Sequence, residues 1–410
     1  MVRQRKRKAG KILGVIGICA GVAAGGFGGA TVPTWLGTVV ESESGSPQRT
    51  DAGLASAIVK AVELGITPLD GAREVNPAVG PSVKTVHGTL KHVELVPVKG
   101  GTAVGGTISA DGSTWSTLEP LAFNTEYRYG FTVVDGAGRE TRKTQTFITV
   151  STPNEADAAV FPQDGSTMGS GQPIEINFSE PVADKAAMEK AVKITVSSGQ
   201  EVAWRWYSDR KVRIRPENFW AANTSVTVDL PLFGKDFGNG MIGNSNVKGT
   251  FKTGPQRIAV VDDATKTMKV FIDGALVKTA PVTLGSPDWL SPTGYAVIME
   301  QERHSKFNAG NIGLKPGDKG YYAPLVVEHA NRLTNSGVYV HQALPSAYGA
   351  VGAYNVSHGC VGLLPVDAAW FFNNMRTGDV VQVLNTGAPA VEPLEGFGDW
   401  NIAWSSYAKR

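Results

Sequence analysis

The chain has 410 residues, enough for two to four domains, and its 39 Lys and Arg residues nearly balance its 37 Asp and Glu residues. Six of the basic residues precede position 12, so the remainder holds 33 basic against 37 acidic residues, which argues against a nucleic-acid-binding surface. One of the two cysteines lies in an apolar N-terminal segment. The rest of the chain therefore has a single thiol and cannot form an intramolecular disulfide.

The order of charges and apolar residues over positions 1–40 predicts a signal peptide or a membrane anchor. A basic cluster is followed by an uncharged run from Ile12 to Val40, whose first 21 or so residues are mostly apolar and long enough to span a bilayer. Gly28-Gly29-Ala30 is a weak cleavage site, so retention and removal both stay open, and lipidation at Cys19 is a less favoured third alternative. We expect an exported protein of the cell envelope, at the outer face of the cytoplasmic membrane or in the periplasmic space.

An internal repeat divides the next part of the chain into two units, residues 52–150 and 151–254. Short segments recur at offsets of 94, 99 and 104 residues, the size of one immunoglobulin-like sandwich. Alternating apolar runs separated by Gly, Pro and Asx turns predict that both units are antiparallel β-sandwiches. The recurring segments are Pro68-Leu69-Asp70-Gly71 and Pro162-Gln163-Asp164-Gly165, Asn124-Thr125 and Asn223-Thr224, and Thr146-Phe147-Ile148-Thr149 and Thr250-Phe251-Lys252-Thr253.

The two sandwiches are expected to act as a spacer between the membrane and a third domain. Residues 41–51 are polar, contain Gly, Ser and Pro, and predict a linker before the first sandwich. Because no disulfide can join the sheets, we expect Trp115, Trp204 and Trp206 to fill the cores. Glycan binding by these tryptophans is an alternative that the sequence leaves open.

From residue 255 the pattern stays mostly β and predicts a third domain over residues 255–385, followed by a tail, 386–410, that packs on the preceding domains. Asp273-Gly274 is typical of a hairpin turn. The segment Pro365–Met375, shortly after Cys360, is predicted to form a helix with an apolar face at Val366, Ala369 and Trp370. It is the one helix that the sequence predicts near this cysteine. The fold class is therefore mainly β. The predicted strands are Ile258–Val261, Thr267–Ile272, Tyr295–Ile298 and Gly378–Val383.

The segment Ser357-His358-Gly359-Cys360 carries the chemistry that the sequence predicts. A second histidine, His341, lies 19 positions before Cys360 at the end of a strand-like segment. A cysteine nucleophile acts as the thiolate, and imidazole is the side chain suited to removing the thiol proton. Gly359 permits a sharp turn, so the N–H groups of Gly359 and Cys360 are expected to form an oxyanion hole.

These residues resemble the hallmark of the YkuD-type L,D-transpeptidases, a histidine followed after somewhat under twenty residues by Ser/Thr-His-Gly-Cys. The layout with two immunoglobulin-like domains and a tail containing Gly398-Asp399-Trp400 is similar to the actinobacterial members. The resemblance implies a β-rich catalytic domain, peptidoglycan tetrapeptide stems as donor and acceptor, and covalent inhibition by carbapenems. It implies that Cys360 forms a thioester with release of D-Ala and that a second stem then forms a 3→3 cross-link.

The resemblance also suggests roles for residues around the pair. His358 is expected to orient the loop, contact substrate or assist proton transfer. Tyr321 aligns with a tyrosine that covers the donor site within a lid from Gln301 to Pro324. Three further residues are predicted to bind substrate or support the site: Ser336, Ser357 and Gln342.

The sequence departs from the family pattern at three places. Cys360 is followed by Val361-Gly362, where the family has an apolar residue and then Arg or Asn. His341 is followed by Gln342-Ala343-Leu344-Pro345, where actinobacterial relatives often have Ser-Ala-Pro-Trp, and the gap between His341 and Cys360 is slightly long. These departures affect the pocket and leave the thiol and the base in place.

Two other functions remain open at this point. One is a catalytically silent cell-wall-binding paralogue, which Gly362 favours. The other is a different cysteine enzyme, above all an L,D-carboxypeptidase that uses water as acceptor, since a sortase-like Thr-Leu-x-Thr-Cys segment is missing. No cofactor is expected, and no metal site either, because His87, His92, His304 and His329 lack ligand spacing.

Overall fold

The computed structural model describes residues 60–409. The predicted anchor, linker and Cys19 lie outside these residues. Among residues 60–409, no helix is both long and apolar enough to cross a membrane. The structure consists mostly of strands, as the sequence predicted.

The first unit contains two four-stranded sheets that face each other across an aromatic core. Their orders are β1-β3-β6-β5 and β2-β8-β7-β4. Trp115 is buried and its ring centroid lies 5.4 Å from that of Tyr129, as expected for a core tryptophan. The strands are β1 (Glu63–Thr67), β2 (Ala72–Val75), β3 (Ser82–Val86), β4 (Gly88–Pro97), β5 (Gly106–Ile108), β6 (Thr114–Thr117), β7 (Glu126–Asp135) and β8 (Glu140–Thr149).

The second unit repeats this plan and adds a short helix and a three-stranded sheet. Trp220 is fully buried in its core, whereas Trp204 and Trp206, which we expected there, are half-buried and pack against the core from its side. The elements are β9 (Glu155–Ala156), β10 (Ala158–Phe161), β11 (Thr167–Met168), β12 (Ile174–Phe178), α1 (Lys185–Ala191), β13 (Lys193–Val196), β14 (Val202–Trp206), β15 (Lys211–Pro216), β16 (Ser225–Leu230), β17 (Asp236–Gly238), β18 (Met241–Gly243) and β19 (Val247–Thr253).

Equivalent residues of the repeat make equivalent hydrogen bonds. Asp70 accepts from the N–H of Thr146 at 2.9 Å, and Asp164 accepts from the N–H of Thr250 at 2.7 Å. In each case an aspartate in a turn bonds to a backbone N–H within the last strand of its sandwich. The recurrence that suggested two similar units therefore reflects two similar sets of turns.

The third unit is built on one nine-stranded sheet with the order β23-β28-β20-β21-β22-β27-β26-β25-β24. Asp273 and Gly274 both have positive φ between β21 and β22, as the predicted hairpin turn requires. The elements are β20 (Arg257–Asp262), β21 (Thr267–Ile272), β22 (Ala275–Thr283), β23 (Gly294–Val297), β24 (Glu300–Phe307), β25 (Leu325–Arg332), β26 (Tyr339–Gln342), β27 (Val361–Leu363), α2 (Pro365–Asn374), β28 (Val380–Leu384) and α3 (Trp404–Tyr407).

Helix α2 begins with proline in its first turn, as predicted, but its buried face differs from the expected one. Ala368 and Phe371 are buried against the sheet, whereas Val366 is 78% exposed. The expected face was therefore misplaced around the helix axis. Within the predicted lid, Glu300–Phe307 forms β24, Ala309–Ile312 forms a short 3-10 helix, and residues 313–324 lack regular structure; the lid itself stays a prediction.

Backbone hydrogen bonds connect the second and third units directly. The N–H of Gly169 donates to Thr377 O and that of Gly171 to Gly378 O, both at 2.9 Å. The tail adds side-chain contacts, since Trp400 Nε1 donates to Gly171 O at 2.7 Å. These contacts fix the base of the third unit against the second sandwich.

Candidate active site

A cavity of about 290 Å³ on one face of the third unit contains both Cys360 and His341. Most of its wall is apolar, and no Lys, Arg, Asp or Glu contributes to it among the described residues. The lining residues are Thr283, Phe307, Ile312, Tyr322, Leu325, Val327, Gly337, His341, Ala343, Leu344, Ser346, Ala347, Val356, Ser357, His358, Cys360 and Gly362.

Strand pairing brings the thiol and the imidazole together. β26 and β27 are parallel neighbours, with His341 opposite Gly362, and Cys360 immediately precedes β27. Side chains alternate between the two faces of a sheet. Val340 therefore enters the hydrophobic core while His341 faces the cavity.

The turn that carries the cysteine is fixed by two serines. Ser357 Oγ accepts from the N–H of Gly359 at 3.1 Å and donates to Cys360 O at 2.6 Å, and Ser291 Oγ donates to Gly359 O at 2.8 Å. Gly359 has a φ of 107°, which only glycine adopts readily. The N–H of Gly359, which we expected to face the substrate oxyanion, is bonded to Ser357 in this structure.

The thiol of Cys360 is nearly buried and neutral at physiological pH. Only 7% of the residue is exposed, and Sγ donates to Gly337 O at 3.6 Å. Burial raises the pKa of Cys360 to about 12, against the weaker opposite effect of a hydrogen bond from the backbone of Tyr339. A buried thiol needs a base at the moment of attack, because desolvation disfavours the free thiolate.

His341 has the protonation state that such a base requires. Its Nδ1 lies 2.7 Å from Gln342 O, and a carbonyl oxygen can only accept, so Nδ1 carries the proton and Nε2 is the basic nitrogen. Burial lowers the pKa of His341, which keeps the ring neutral at pH 7. The ring of Phe307 meets the imidazole edge to face, with centroids 5.3 Å apart, and restricts its orientation.

His358 lies between two aromatic rings at the mouth of the cavity. Its ring centroid is 4.4 Å from that of Trp289 and 5.4 Å from that of Tyr322. Its Nε2 is buried and has no hydrogen-bond partner within residues 60–409. A Cβ at Gly320 would lie 2.7 Å from this nitrogen and 2.3 Å from Trp289, so only glycine fits there.

Three of the predicted substrate-binding side chains do not face the cavity. Tyr321 is 37% exposed and stays outside the lining, whereas its neighbour Tyr322 belongs to it. Gln342 lies on the opposite face of β26, where Oε1 is 3.4 Å from His329 Nδ1. Ser336 is exposed and its Oγ lies 3.0 Å from Thr334 Oγ1.

Other residues of the site escaped the sequence analysis. Trp289 and Phe307 fix the two histidines, and Gly337 contributes a carbonyl oxygen to the thiol. Reading Asn335-Ser336-Gly337 as a turn directly before the histidine strand would have placed that carbonyl near the site. Trp289 is 69 positions before His358, and no sequence spacing indicates it.

Gly362 forms part of the cavity wall beside the base. It lies between Thr283 of β22 and His341 of β26 in one row across three strands. A Cβ at this position would be 2.9 Å from Thr283 Cγ2 and 3.4 Å from Ala343 Cβ. The residue at which the sequence departs from the family pattern is therefore closely packed, and a larger side chain there would displace Thr283 or Ala343 at the cavity wall. Within residues 60–409, no three His, Cys, Asp or Glu side chains gather as metal ligands.

Comparison with known proteins agrees with this geometry. Residues 256–383 match the L,D-transpeptidase catalytic domain (YkuD), and residues 72–236 match a bacterial Ig domain. The chain is 36% identical over 357 residues to L,D-transpeptidase 2 of Mycobacterium tuberculosis, which covers 87% of this chain and 86% of the relative.

Two solved structures are also similar. One is an L,D-transpeptidase in complex with imipenem, with 30% identity over 55% of this chain and 97% of that chain and a TM-score of 0.49. The other is L,D-transpeptidase 3 of Mycobacterium tuberculosis with a faropenem-derived adduct, with 29% identity over 55% and 97% of the two chains and a TM-score of 0.46. On its match to the catalytic-domain family and its identity to a curated member over most of its length, the chain belongs to the L,D-transpeptidases, acyltransferases that react through a cysteine.

Proposed function

We propose that Cys360 is the nucleophile and His341 the general base of a peptidoglycan L,D-transpeptidase. The observation that carries this assignment is that both side chains line one cavity, where the thiol is neutral and the hydrogen bond of His341 Nδ1 leaves Nε2 as the basic nitrogen. Neither side chain is ionised at rest. The proton must therefore move as the sulfur attacks, which is general-base catalysis.

The reaction proceeds in two halves. Cys360 Sγ attacks the carbonyl of the donor stem, His341 Nε2 takes the thiol proton and passes it to the departing D-Ala amine, and a thioester remains. The side-chain amine of a second stem then attacks the thioester while His341 accepts an amine proton and returns it to the sulfur. The new amide is a 3→3 cross-link, and the thiol is regenerated.

Backbone N–H groups of the cysteine turn stabilise the oxyanion in both halves. The N–H of Cys360 lies on the turn beside the sulfur, and the N–H of Gly359 joins it when the bond to Ser357 opens. His358 is a positioning residue in this scheme, because its ring packs against Trp289 and Tyr322 and so fixes the residue next to Gly359.

Two extensions follow from the same assignment. Carbapenems contain a strained cyclic amide, so Cys360 is acylated by them as it is by the donor stem. The sequence of residues 1–40 supports a protein attached to the outer face of the cytoplasmic membrane, with the catalytic unit on the exported side.

The domain division that we propose is 52–150, 151–254 and 255–385, with 386–410 as the tail. Every sheet of the described structure keeps its strands within one of these ranges. Asn76 Nδ2 donates to Gly234 O at 2.7 Å between the first two units, which supports a spacer of defined shape.

Intact-protein mass spectrometry after incubation with a carbapenem tests the nucleophile, with Cys360→Ala as the variant. The base is tested by His341→Gln, with the exposed His304→Gln as the matched control. We expect an adduct on the wild type and on His304→Gln, a slow one on His341→Gln, and none on Cys360→Ala. An adduct on Cys360→Ala, or none on a folded and reduced wild type, would refute the assignment and favour the silent wall-binding function.

Incubation with a disaccharide tetrapeptide separates the two active functions. Cross-linked dimer supports the transpeptidase, whereas tripeptide alone supports the L,D-carboxypeptidase. Membrane attachment is tested by fractionation of cells that express the full chain. Recovery of the intact chain in the membrane fraction supports the anchor, and recovery of a shortened chain outside the membrane supports cleavage.

A further inference from the structure

A short segment of the tail, Pro393–Gly396, contacts the loop that touches the nucleophile. We name the segment the strap and the loop, Thr334–Gly337, the thiol loop. Glu395 Oε1 accepts from the N–H of Ser336, and Glu395 O accepts from the N–H of Asn335 at 3.4 Å. Asn335 Nδ2 donates to Leu394 O at 2.9 Å. The strap therefore holds both exposed residues of the loop.

The other side of the strap is bound by the second sandwich. Arg213, on β15, is 5% exposed, and its Nη1 donates to Pro393 O at 2.6 Å and to Gly396 O at 2.8 Å. Asp399 at 2.8 Å and Glu175 at 2.7 Å pair with the same guanidinium. A buried, doubly paired arginine is a rigid anchor, since loss of either contact would leave a buried charge unpaired.

Close packing removes the remaining freedom of the strap. Gly396 has a φ of 130°, and a Cβ there would lie 2.7 Å from Leu333 O, at the start of the thiol loop. Only glycine permits this approach. The strap thus lies between a rigid arginine and the thiol loop.

The last residue of the thiol loop, Gly337, carries the carbonyl oxygen that contacts Cys360. Gly337 O accepts from Cys360 Sγ at 3.6 Å, and the N–H of Gly337 bonds back to Thr334 O at 3.3 Å. Thr334 Oγ1 accepts from the N–H of Val338 at 2.9 Å, which joins the loop to the strand of the base. A displacement of Ser336 is therefore passed to the Gly337 carbonyl one residue later.

We propose that Glu395 is a positioning residue of the reaction: together with Arg213 it holds the thiol loop so that the Gly337 carbonyl orients the Cys360 thiol. This inference rests on Cys360 as the proposed nucleophile. The tail and the second sandwich then act on the catalytic step itself, beyond their role as spacer and support.

The proposal has a chemical signature that simple loss of stability lacks. A carbonyl oxygen beside a sulfur orients the S–H bond and disfavours the thiolate. When the loop is freed, the thiol loses its orientation and gains access to water. Acylation then becomes slower, while the pKa of Cys360 falls from its raised value of about 12. A folding defect would instead add a separate fraction that is alkylated at the ordinary thiol pKa of about 8.5, and would leave the pKa of the folded fraction unchanged.

Four variants of the full-length chain test this, each in detergent. Glu395→Ala removes the carboxylate, Asn335→Ala removes the bond to Leu394, and Glu395→Gln keeps an acceptor oxygen. Glu392→Ala is the matched control, because its exposed side chain makes no hydrogen bond or ion pair within the described part of the chain. Carbapenem acylation is followed by mass spectrometry, and alkylation of the Cys360 peptide by iodoacetamide is followed against pH, so Cys19 does not contribute.

We expect Glu395→Ala to slow acylation about fivefold to tenfold, the effect of one lost hydrogen bond, and to move the alkylation midpoint to lower pH. Asn335→Ala should change both quantities in the same direction, and Glu395→Gln and Glu392→Ala should match the wild type. Equal alkylation profiles in Glu395→Ala and the wild type would overturn the proposal. If the wild type itself takes no carbapenem, the nucleophile assignment fails, and the alkylation profiles alone still decide whether the strap positions the thiol.

Discussion

Replacing Asp379 by Asn should remove a pH-dependent loss of folding stability at the contact between the second sandwich and the catalytic unit. Asp379 is fully buried at the start of β28, where its Oδ2 accepts from the N–H of Arg376 at 2.7 Å. Its Oδ1 has no hydrogen-bond partner in the described chain and faces the backbone of Gly169. Burial raises the pKa of Asp379 to about 7, although Arg376 and Arg257 act in the opposite direction.

The sign of the effect follows from linkage. In the unfolded chain the carboxyl ionises with its ordinary pKa near 4, whereas the folded chain retains the proton up to about pH 7. The contribution of this group to the free energy of unfolding is therefore largest below pH 4 and is lost as pH rises towards 7. From pH 5 to pH 8 the folded state binds one extra proton over about two pH units, which corresponds to roughly 3 kcal/mol.

Asparagine does not titrate, so the stability difference between Asp379→Asn and the wild type should shift by about 3 kcal/mol towards the variant from pH 5 to pH 8. If the amide also destabilises the fold by a constant amount, the free energy of unfolding of the variant changes equally at every pH, and the predicted dependence of the difference on pH is unaffected. The free energy of unfolding of both proteins is measured by urea unfolding at four pH values, followed by tryptophan fluorescence. Asp288→Asn, at a half-exposed carboxylate, is the control. A difference that stays constant across this pH range would refute the reasoning.

Three further predictions concern the cavity. Ser357→Ala should slow carbapenem acylation roughly tenfold, because Ser357 Oγ no longer holds the carbonyl of Cys360 and the cysteine turn is less well fixed, and Ser357→Thr should retain most of the rate. Gly362→Leu should narrow the cavity beside Thr283 and slow the reaction with a tetrapeptide stem. The control is Gly349→Ala, where a Cβ meets nothing within 4 Å and the rate should not change. Equal rates for Gly362→Leu and the wild type would contradict the assignment of Gly362 to the cavity wall. Tyr322→Ala should slow acylation and Tyr321→Ala should not, with the reverse order showing that the lid tyrosine is Tyr321.

The fold could be predicted from the sequence where local patterns repeat. Asn124 and Asn223 both adopt positive φ, and Thr149 and Thr253 both use Oγ1 to donate at 2.8 Å, to the carbonyls of Ala122 and Ala221. Such turns depend on a few neighbouring residues, so they leave a signal in one sequence. The central tryptophan of the second core left no comparable signal, because burial depends on the whole sandwich.

The candidate site shows the same division between local and distant information. His341 lies on β26 and Cys360 immediately precedes the adjacent parallel strand β27, and the motif alone indicates both residues. Gln342 lies on the opposite face of β26 because a one-residue step along a strand reverses the face, and the sequence alone does not tell which of Tyr321 and Tyr322 lines the cavity. The strap could not be predicted, since Arg213 and Gly396 meet across 183 positions of sequence.

Burial of Cys360 has two consequences that belong together. The thiolate is the form that reacts with oxidants as well as with acyl donors, and desolvation suppresses it in the resting enzyme. A lone thiol in the proposed exported location is therefore protected until a substrate occupies the cavity. In the proposed mechanism attack then depends on His341, whose pKa is lowered by the same burial, so that the ring is neutral and able to accept the proton. The apolar wall thus protects the nucleophile and also prepares the base, which explains why a site with so few polar groups suits this reaction.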